Sequence, residues 1–270
     1  MKNKKVLIFG VGWLGLPLSF SLKEMGFDVF TASRSLQKCS QLNDFGFKAI
    51  EISYHFDSVK IQLNIEQLNE INYLIICIPP TGVQNYKGVL ESIVSKFNDK
   101  TKIIFTSSTG IYEEINDNVD EESDKISDHP VYLAEKKLLE IAGDRLTILR
   151  LAGLIGANRH PIKYFIQKEL IPNCQAPVNL VCQKDVIRAI NLIIEKQIFG
   201  SIFNIVNPSH PTKKHYYLAA AKEFFEAVPR TEVGNGGKLV LGTKFECEIG
   251  FQYLFKLDDW NEFLLKSKSH

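Results

Sequence analysis

Short apolar segments alternate with amphipathic segments from the start of the chain to about residue 206. Each apolar segment ends at Gly, Pro or polar residues, a pattern that predicts strands in VLIFG, FDVFTAS, FKAIEIS, YLIICIPP, TKIIFTSS, RLTILRLAG and SIFNIVN. The intervening segments, such as YKGVLESIVSKF and DVIRAINLIIEK, repeat apolar residues at helical spacing. Strands that are apolar on both faces and separated by helices form a parallel sheet between helical layers. The pattern therefore predicts an α/β fold with a doubly wound parallel sheet.

The alternation stops near residue 206, where a helical segment, YYLAAAKEFFEAV, and a glycine-rich segment, VGNGG, follow. A basic, irregular segment, NRHPIKYFIQKELIPN, also interrupts it after the strand RLTILRLAG. We therefore predict one core formed by residues 1–157 and 178–206. A small C-terminal lobe, formed by residues 158–177 and 207–270, is predicted to bind the substrate.

The turn after the first predicted strand contains three glycines at the spacing GxGxxG. The first glycine permits a tight turn, the second lets the backbone approach a pyrophosphate, and the third lets the helix pack on the strand. The helix that follows presents its N-terminal N–H groups to an anion. These features predict a dinucleotide-binding loop rather than a purely structural turn. The residues predicted to contact the dinucleotide are Gly10, Gly12, Trp13, Leu14 and Gly15.

The end of the second strand distinguishes between two dinucleotides. A carboxylate there binds the ribose 2′-OH of NAD, whereas an arginine accommodates the 2′-phosphate of NADP. The segment FDVFTASRS ends in Ser33 and Arg34 with no carboxylate, since Asp28 lies at the start of the strand. Because a guanidinium suits phosphate, we predict NADP, with NAD as the less favoured alternative. An exposed loop arginine without a ligand is the other interpretation of Arg34.

Composition narrows the class of protein. Lys and Arg number 32 against 31 Asp and Glu, a net charge of +1, which offers no electrostatic basis for binding nucleic acid or an anionic membrane. The five cysteines are scattered without a CxxC motif, as in a reduced cytoplasmic protein. The histidines lack metal-ligand spacing, and no apolar run approaches the ~20 residues of a membrane span. We predict a cytoplasmic enzyme with a small-molecule substrate and no metal.

Two parts of the chain resemble known families. GVGWLGLPLSFSLKEMGFDV (10–29) resembles the opening of 6-phosphogluconate and UDP-sugar dehydrogenases, but no long all-helical second half follows it. IIFTSSTGIYEE (103–114), PVYLAEKKLLE (130–140) and LTILRLAGLIGANRHP (146–161) resemble the SS-x-x-VYG, YxxxK and LRxxxxYGPG-type motifs of the extended short-chain dehydrogenase/reductase superfamily. They occur in that superfamily's order, and the resemblance covers most of residues 3 to 206.

The second resemblance implies a Rossmann core and an NAD(P)-dependent oxidoreductase or epimerase/dehydratase-like enzyme. Such an enzyme acts on a carbonyl or alcohol of a small substrate, here an anionic or sugar-derived one, and often forms a homodimer. The resemblance implies three catalytic residues, of which Lys136 also binds the nicotinamide ribose: Ser108, Tyr132 and Lys136. The end of the fourth strand is expected to contact the cofactor through Ile78, Pro79 and Pro80.

The YxxxK motif occurs twice, at Tyr132 with Lys136 and at Tyr164 with Lys168. Only the first pair lies between TSSTGIY and LTILRLAG, where the superfamily keeps its catalytic pair. Residues four apart share one helix face, and an adjacent ammonium stabilises a phenolate, so Tyr132 can act as a general acid and base. Tyr164 is interpreted as a packing or pocket-wall aromatic.

The chain also departs from the superfamily pattern. Its first loop is GxGxxG instead of GxxGxxG, and the segment EISYHF lacks the Asp that usually follows the third strand. A catalytically weak NADP-binding sensor or partner-binding module of the same fold is therefore the alternative function. The loop after the sixth strand lies at the carboxyl edge of the sheet, where ligands bind. Its Asn158, Arg159 and His160 are predicted to contact an anionic substrate.

Overall fold

The structure, a computed structural model, describes residues 4–156 and 158–263. The strands are β1 (Lys5–Phe9), β2 (Asp28–Ser33), β3 (Lys48–His55), β4 (Ser58–Ile61), β5 (Tyr73–Ile76), β6 (Lys102–Ser108), β7 (Asn118–Val119), β8 (Leu146–Leu151), β9 (Gly153–Ile155), β10 (Leu170–Ile171), β11 (Leu180–Cys182), β12 (Ile202–Ile205), β13 (Arg230–Thr231) and β14 (Leu239–Val240). The α-helices are α1 (Gly15–Glu24), α2 (Leu36–Asp44), α3 (Ile65–Asn69), α4 (Tyr86–Val94), α5 (Pro130–Ala142), α6 (Ile162–Lys168), α7 (Gln183–Lys196), α8 (Lys213–Phe224) and α9 (Thr243–Ile249).

The largest sheet has eight strands in the order β12-β8-β6-β5-β1-β2-β3-β4. Within it, β6, β5, β1, β2 and β3 pair in parallel. From β1 the chain continues outward to β2 and β3 on one side, and later to β5 and β6 on the other. The strand order thus reverses between β1 and β5, the place where open α/β sheets bind ligands at the carboxyl ends of their strands. The predicted α/β fold with a doubly wound sheet is confirmed.

Burial explains why the central strands are apolar on both faces. Leu7, Ile8 and Phe9 of β1 have no exposed surface, and neither do Leu74, Ile75 and Ile76 of β5. The first helix also follows its sequence pattern, because Leu18 and Leu22 face the core and are fully buried. Pro17 lies in its first turn, where the missing N–H leaves no bond unmade.

The edge strand β4 was not predicted. It pairs antiparallel with β3, and Tyr54 lies opposite Val59 in the register. The intervening turn reads HFDS and lacks the glycine signals of a tight hairpin, so the sequence offered no sign of it. Val59 donates its backbone N–H to Ser92 Oγ of α4, at 2.9 Å, and this bond ties the hairpin to a helix.

The chain divides into two compact units. The first consists of residues 1–111, 128–149 and 189–202, and the second of residues 112–127, 150–188 and 203–270. Parallel strand pairs β7·β14, β9·β11 and β10·β13 belong to the second unit. Its core is rich in aromatic side chains, including Tyr216, Tyr217, Phe224, Phe255 and Phe263. The functional division predicted above, at residues 157, 178 and 206, stays a prediction.

Candidate active site

Two glycines of the first loop are required by the protein's own packing. Gly10 has φ of +84°, and a Cβ on it would lie 2.4 Å from the Cys77 carbonyl oxygen. A Cβ on Gly15 would lie 2.3 Å from the Gly10 carbonyl oxygen. The first glycine thus allows the loop to touch the segment that follows β5, and the second allows α1 to begin directly against the loop.

Gly12 differs from both neighbours. It is exposed and is not among the glycines with positive φ, and the nearest atom to a Cβ on it would be Gly10 O at 4.0 Å. Neither the turn nor the packing of the described residues therefore requires a glycine at this position. At the second glycine of GxGxxG, a pyrophosphate needs the space that a Cβ would otherwise fill. The loop fits the predicted dinucleotide.

The two residues after Gly12 contribute differently. Trp13 is half-buried, whereas Leu14 is buried and precedes the first residue of α1. The Leu14 side chain belongs to the core, so it offers a ligand only its backbone.

Polar groups line the end of β2. Ser33 Oγ accepts a hydrogen bond from Ser35 N at 3.2 Å, and Ser35 Oγ caps α2 by accepting from Lys38 N at 3.2 Å. In both bonds the serine oxygen is the acceptor, so each hydroxyl keeps its own proton to donate. Arg34 is exposed, and its guanidinium carbon lies 5.0 Å from the centre of the Tyr54 ring on β3.

A carboxylate that the sequence reasoning did not consider lies on β3. Glu51 is opposite Ser33 in the parallel register, and its Oε2 accepts from Gln62 Nε2 at 2.6 Å. The residue is half-buried. The position of Glu51 beside the end of β2 follows only from the pairing of β2 with β3, because β2 itself ends without an acidic residue.

The segment after β5 is held by a buried tyrosine. Tyr86 Oη donates to the Ile78 carbonyl oxygen at 2.7 Å, and burial raises the pKa of Tyr86, so the hydroxyl keeps its proton. Ile78 is buried, Pro79 is exposed and Pro80 is half-buried. Since Gly10 packs against Cys77, the structure brings this segment beside the glycine loop.

The predicted catalytic residues lie at the end of β6 and on α5. Ser108 is half-buried, and its Oγ accepts from Gly110 N at 3.0 Å, which leaves its hydroxyl proton as a donor. Tyr132 is half-buried and Lys136 exposed, with Lys136 Nζ 5.8 Å from the centre of the Tyr132 ring. The helix begins as its sequence indicates, with His129 as N-cap and Pro130 as first residue.

A buried carboxylate joins α5 to β6. Glu135 has no exposed surface and accepts a hydrogen bond from Ser107 Oγ. It occupies the apolar stripe of α5, together with Val131, Ala134, Leu138 and Ala142. A buried charge is costly unless it is hydrogen-bonded. The Ser107–Glu135 bond therefore fixes α5, with Tyr132 and Lys136, against the strand that ends at Ser108.

The loop predicted to contact the substrate belongs to the second unit. Asn158 and Arg159 are exposed, and Lys163 Nζ donates to the Asn158 carbonyl oxygen at 3.1 Å. His160, in contrast, is 4% exposed. Its Nε2 bonds Tyr216 Oη at 2.9 Å, and its Nδ1 accepts from Ile162 N at 3.1 Å.

Aromatic rings surround His160. Burial, with a smaller effect of the Lys163 charge, lowers its pKa to about 3. A neutral imidazole enclosed by aromatic rings has a packing role. The substrate contacts of Asn158, Arg159 and His160 stay predictions.

Sequence comparison places the chain in a family. No family model matches it. Protein YeeZ of Escherichia coli K12 is 32% identical over 277 residues, which cover 93% of this chain and 96% of YeeZ. The chain belongs to the YeeZ family. Protein YeeZ of Escherichia coli O157:H7 matches to the same extent.

Solved structures show which fold this YeeZ-family chain has. A short-chain dehydrogenase/reductase superfamily protein from Agrobacterium tumefaciens, with bound NAD, has a TM-score of 0.73 at 13% identity over 94% of each chain. UDP-glucuronic acid 4-epimerase from Bacillus cereus, in complex with NAD, has a TM-score of 0.71 at 17% identity, over 96% of this chain and 94% of its own. The predicted resemblance to the extended short-chain dehydrogenase/reductase superfamily is confirmed as the fold.

Among the residues that the structure describes, no three His, Cys, Asp or Glu side chains are grouped so as to hold a metal ion. Within the same residues, no helix is both long enough and apolar enough to cross a membrane.

Besides Glu51, sequence reasoning missed three residues of this region, namely Tyr54, Ser107 as a partner of Glu135, and Glu135 itself. Glu135 left a signal, because a carboxylate at a core position of an apolar helical stripe requires a partner. Ser107 provides that partner, because its hydroxyl donates to the Glu135 carboxylate. Tyr54 left no signal, since its partner Arg34 lies in the turn after another strand, 20 positions earlier in the chain.

Proposed function

We propose that the chain is an NADP(H)-dependent enzyme of the short-chain dehydrogenase/reductase class. Its reaction is an oxidation, reduction or epimerisation at a carbonyl or alcohol of a small anionic or sugar-derived substrate. Gly12 carries the cofactor part of this proposal, because the protein's own packing does not explain a glycine there. The NAD complexes of structures with the same fold support a nicotinamide cofactor.

Residues of the first unit would hold the cofactor. The glycine loop fits the pyrophosphate. Ser33 and Arg34, at the end of β2, are assigned to the adenosine ribose, and Lys136 is assigned to the nicotinamide ribose. When bound, the nicotinamide supplies the hydride acceptor or donor. Arg34 is the reason for preferring NADP, since a guanidinium can bind the 2′-phosphate with two hydrogen bonds.

The chain's own residues would move the proton. Tyr132 gives a proton to the substrate oxygen when a carbonyl is reduced and removes it when an alcohol is oxidised. The Lys136 ammonium, close to the Tyr132 ring, stabilises the phenolate. Ser108 donates a hydrogen bond to the same substrate oxygen and keeps its own proton. The buried Ser107–Glu135 bond keeps these groups in position, because it ties α5 to the end of β6.

Glu51 favours a second candidate cofactor, NAD. A carboxylate level with the end of β2 could accept the ribose 2′-OH. Its Oε2 is already engaged by Gln62 Nε2, and the residue is on β3. We therefore rank NAD below NADP.

The first experiment tests cofactor binding by calorimetric titration with NADPH and with NADH. Gly12→Val is the decisive variant, because a Cβ at this position would contact no atom beyond its chain neighbours more closely than Gly10 O, at 4.0 Å. We expect it to weaken binding of the preferred nucleotide by about ten-fold or more, a change of about 1.4 kcal/mol in binding free energy. Thermal melting without nucleotide, the control, should match the wild type.

Two results would count against the proposal. One is wild-type protein that binds neither nucleotide. The other is Gly12→Val protein that binds as tightly as the wild type.

A further inference from the structure

The Arg34 side chain is not left to move freely at the edge of the cofactor site. Its guanidinium carbon lies 5.0 Å from the centre of the Tyr54 ring, within the range of a cation–π contact. Among the described residues, no carboxylate forms a salt bridge with Arg34. The arginine is thus placed by an aromatic ring, which leaves its N–H groups for an anion.

The ring itself is firmly held. Tyr54 lies in the β3–β4 hairpin opposite Val59, and the Val59 N–H is bound by Ser92 of α4. Tyr54 is half-buried, and burial raises its pKa to about 12 against the opposing effect of Arg34. A neutral ring on an anchored strand pair is a fixed platform for the guanidinium.

The groups around Arg34 share the chemistry of a phosphate site. Ser33 and Ser35 both have hydroxyl protons to donate, and the two residues flank Arg34 in the chain. The nine-residue helix α2 begins at Leu36, with no acidic side chain in its first turn. A helix N-terminus with this composition attracts negative charge.

We infer that Tyr54 determines nucleotide specificity, by holding the Arg34 guanidinium beside the Ser33–Ser35 turn so that the pair selects a 2′-phosphorylated dinucleotide. This inference rests on the proposed function. An unrestrained arginine loses side-chain entropy when it binds, and a guanidinium that is already positioned loses less. Tyr54 therefore strengthens the binding of NADPH and leaves that of NADH unchanged.

The test compares dissociation constants for NADPH and NADH, measured by calorimetry, in wild type and variants. Tyr54→Leu and Tyr54→Thr both remove the aromatic ring, and of the two only leucine keeps a bulky apolar side chain. Tyr54→Phe keeps the ring and removes the hydroxyl. We expect the first two to weaken NADPH binding by about three- to ten-fold with unchanged NADH binding, and Tyr54→Phe to match the wild type. Arg34→Ala should weaken NADPH binding by about ten-fold or more, and adding Tyr54→Leu to it should change nothing further.

Lys48→Ala is the matched control. Lys48 Nζ lies 5.0 Å from the centre of the Phe30 ring, so the same kind of contact joins the same two strands near their opposite ends. This variant should bind both nucleotides like the wild type. An effect of Lys48→Ala equal to that of Tyr54→Leu would show a general loss of sheet stability and overturn the inference.

The outcomes separate the inference from the proposed function. If Arg34→Ala weakens NADPH binding and the folded Tyr54 variants do not, the inference is overturned and the proposed function stands. If NADPH and NADH binding weaken equally in the Tyr54 variants, the specificity role is wrong. If wild-type protein binds neither nucleotide, the proposed function fails first.

Discussion

Two tyrosine–lysine pairs with the same spacing lie in different parts of the molecule. Tyr132 and Lys136 belong to α5, a helix of 13 residues in the first unit, whereas Tyr164 and Lys168 belong to α6, a helix of seven residues in the second. The lysine Nζ lies 5.8 Å from the tyrosine ring centre in the first pair and 5.9 Å in the second. Their local geometry is nearly identical.

The surroundings of the two pairs differ. Glu135, the residue before the first lysine, is fully buried and bound to Ser107, whereas Gln167, before the second lysine, is exposed. Tyr132 is half-buried, and Tyr164 is 57% exposed with an edge contact to Phe165. Of the two roles predicted for Tyr164, packing or pocket wall, its exposure disfavours packing, and the pocket-wall role stays a prediction.

The Tyr-x-x-x-Lys spacing alone does not determine the surroundings of the pair. Helical spacing places a tyrosine and a lysine on one face wherever it occurs. It does not place that face against a strand that ends in serines. In the first pair, the Ser107–Glu135 bond ties the helix to a strand that ends in serines.

The largest expected difference between the pairs is in turnover. Tyr132→Phe should lower the rate of NADPH oxidation by about 10²- to 10⁴-fold, because it removes the general acid, and Tyr164→Phe should leave the rate unchanged. The measurement is NADPH absorbance with a panel of carbonyl compounds that includes nucleotide sugars. Equal rates in the two variants would contradict a catalytic role for Tyr132 that Tyr164 lacks. Cofactor binding without turnover of any substrate would favour the alternative of a sensor module.

The second difference is in stability. Ser107→Ala leaves the buried Glu135 carboxylate without its hydroxyl donor, and should lower the free energy of unfolding by about 1–3 kcal/mol. Gln167→Ala, the matched change at the exposed position, should alter it by less than about 0.5 kcal/mol. Urea denaturation of both variants checks this. If Ser107→Ala unfolds at the same urea concentration as the wild type, the Ser107–Glu135 hydrogen bond does not contribute to stability.

The third difference is in the pH dependence of stability, which His160 of the second unit is expected to affect. His160 lies just before α6, and its pKa of about 3 in the folded state is below the value of about 6.5 in an unfolded chain. Between these values the unfolded state binds the additional proton, so stability falls as pH falls below about 6.5. The expected contribution at pH 5.5 is a loss of about 1.4 kcal/mol relative to neutral pH.

A variant isolates this contribution from that of other groups. His210 also has a lowered pKa, caused by burial, and adds an acid sensitivity of the same sign. His160→Phe should therefore lose less stability than the wild type between pH 7.5 and 5.5. His215→Gln, at an exposed position, should match the wild type. Identical pH profiles for wild type and His160→Phe would show that His160 is not a buried neutral base.

Much of the fold could be predicted from local patterns. Alternating apolar and amphipathic segments predicted the strands and helices around the glycine loop, because each pattern has the period of the structure it forms. The edge strand β4 could not be predicted, since its turn has no glycine and its pairing depends on β3.

The candidate site was predictable only in part. Gly10 and Gly15 could be predicted from spacing, and the structure explains both by close backbone contacts. His160 was predicted to meet a substrate because it lies in a basic loop, and its burial beside Tyr216 and Phe263, which come much later in the chain, could not be predicted from that loop.

The sequence by itself determined the strand–loop–helix unit at the N-terminus, the doubly wound sheet and the tyrosine–lysine spacing. These features depend on residues within a few positions of one another. The tertiary structure decided that Gly12 serves no packing need, that Arg34 lies on Tyr54, and that Glu135 is buried against Ser107. Which distant segments come into contact depends on how strands and helices pack, and no local pattern along the chain encodes that.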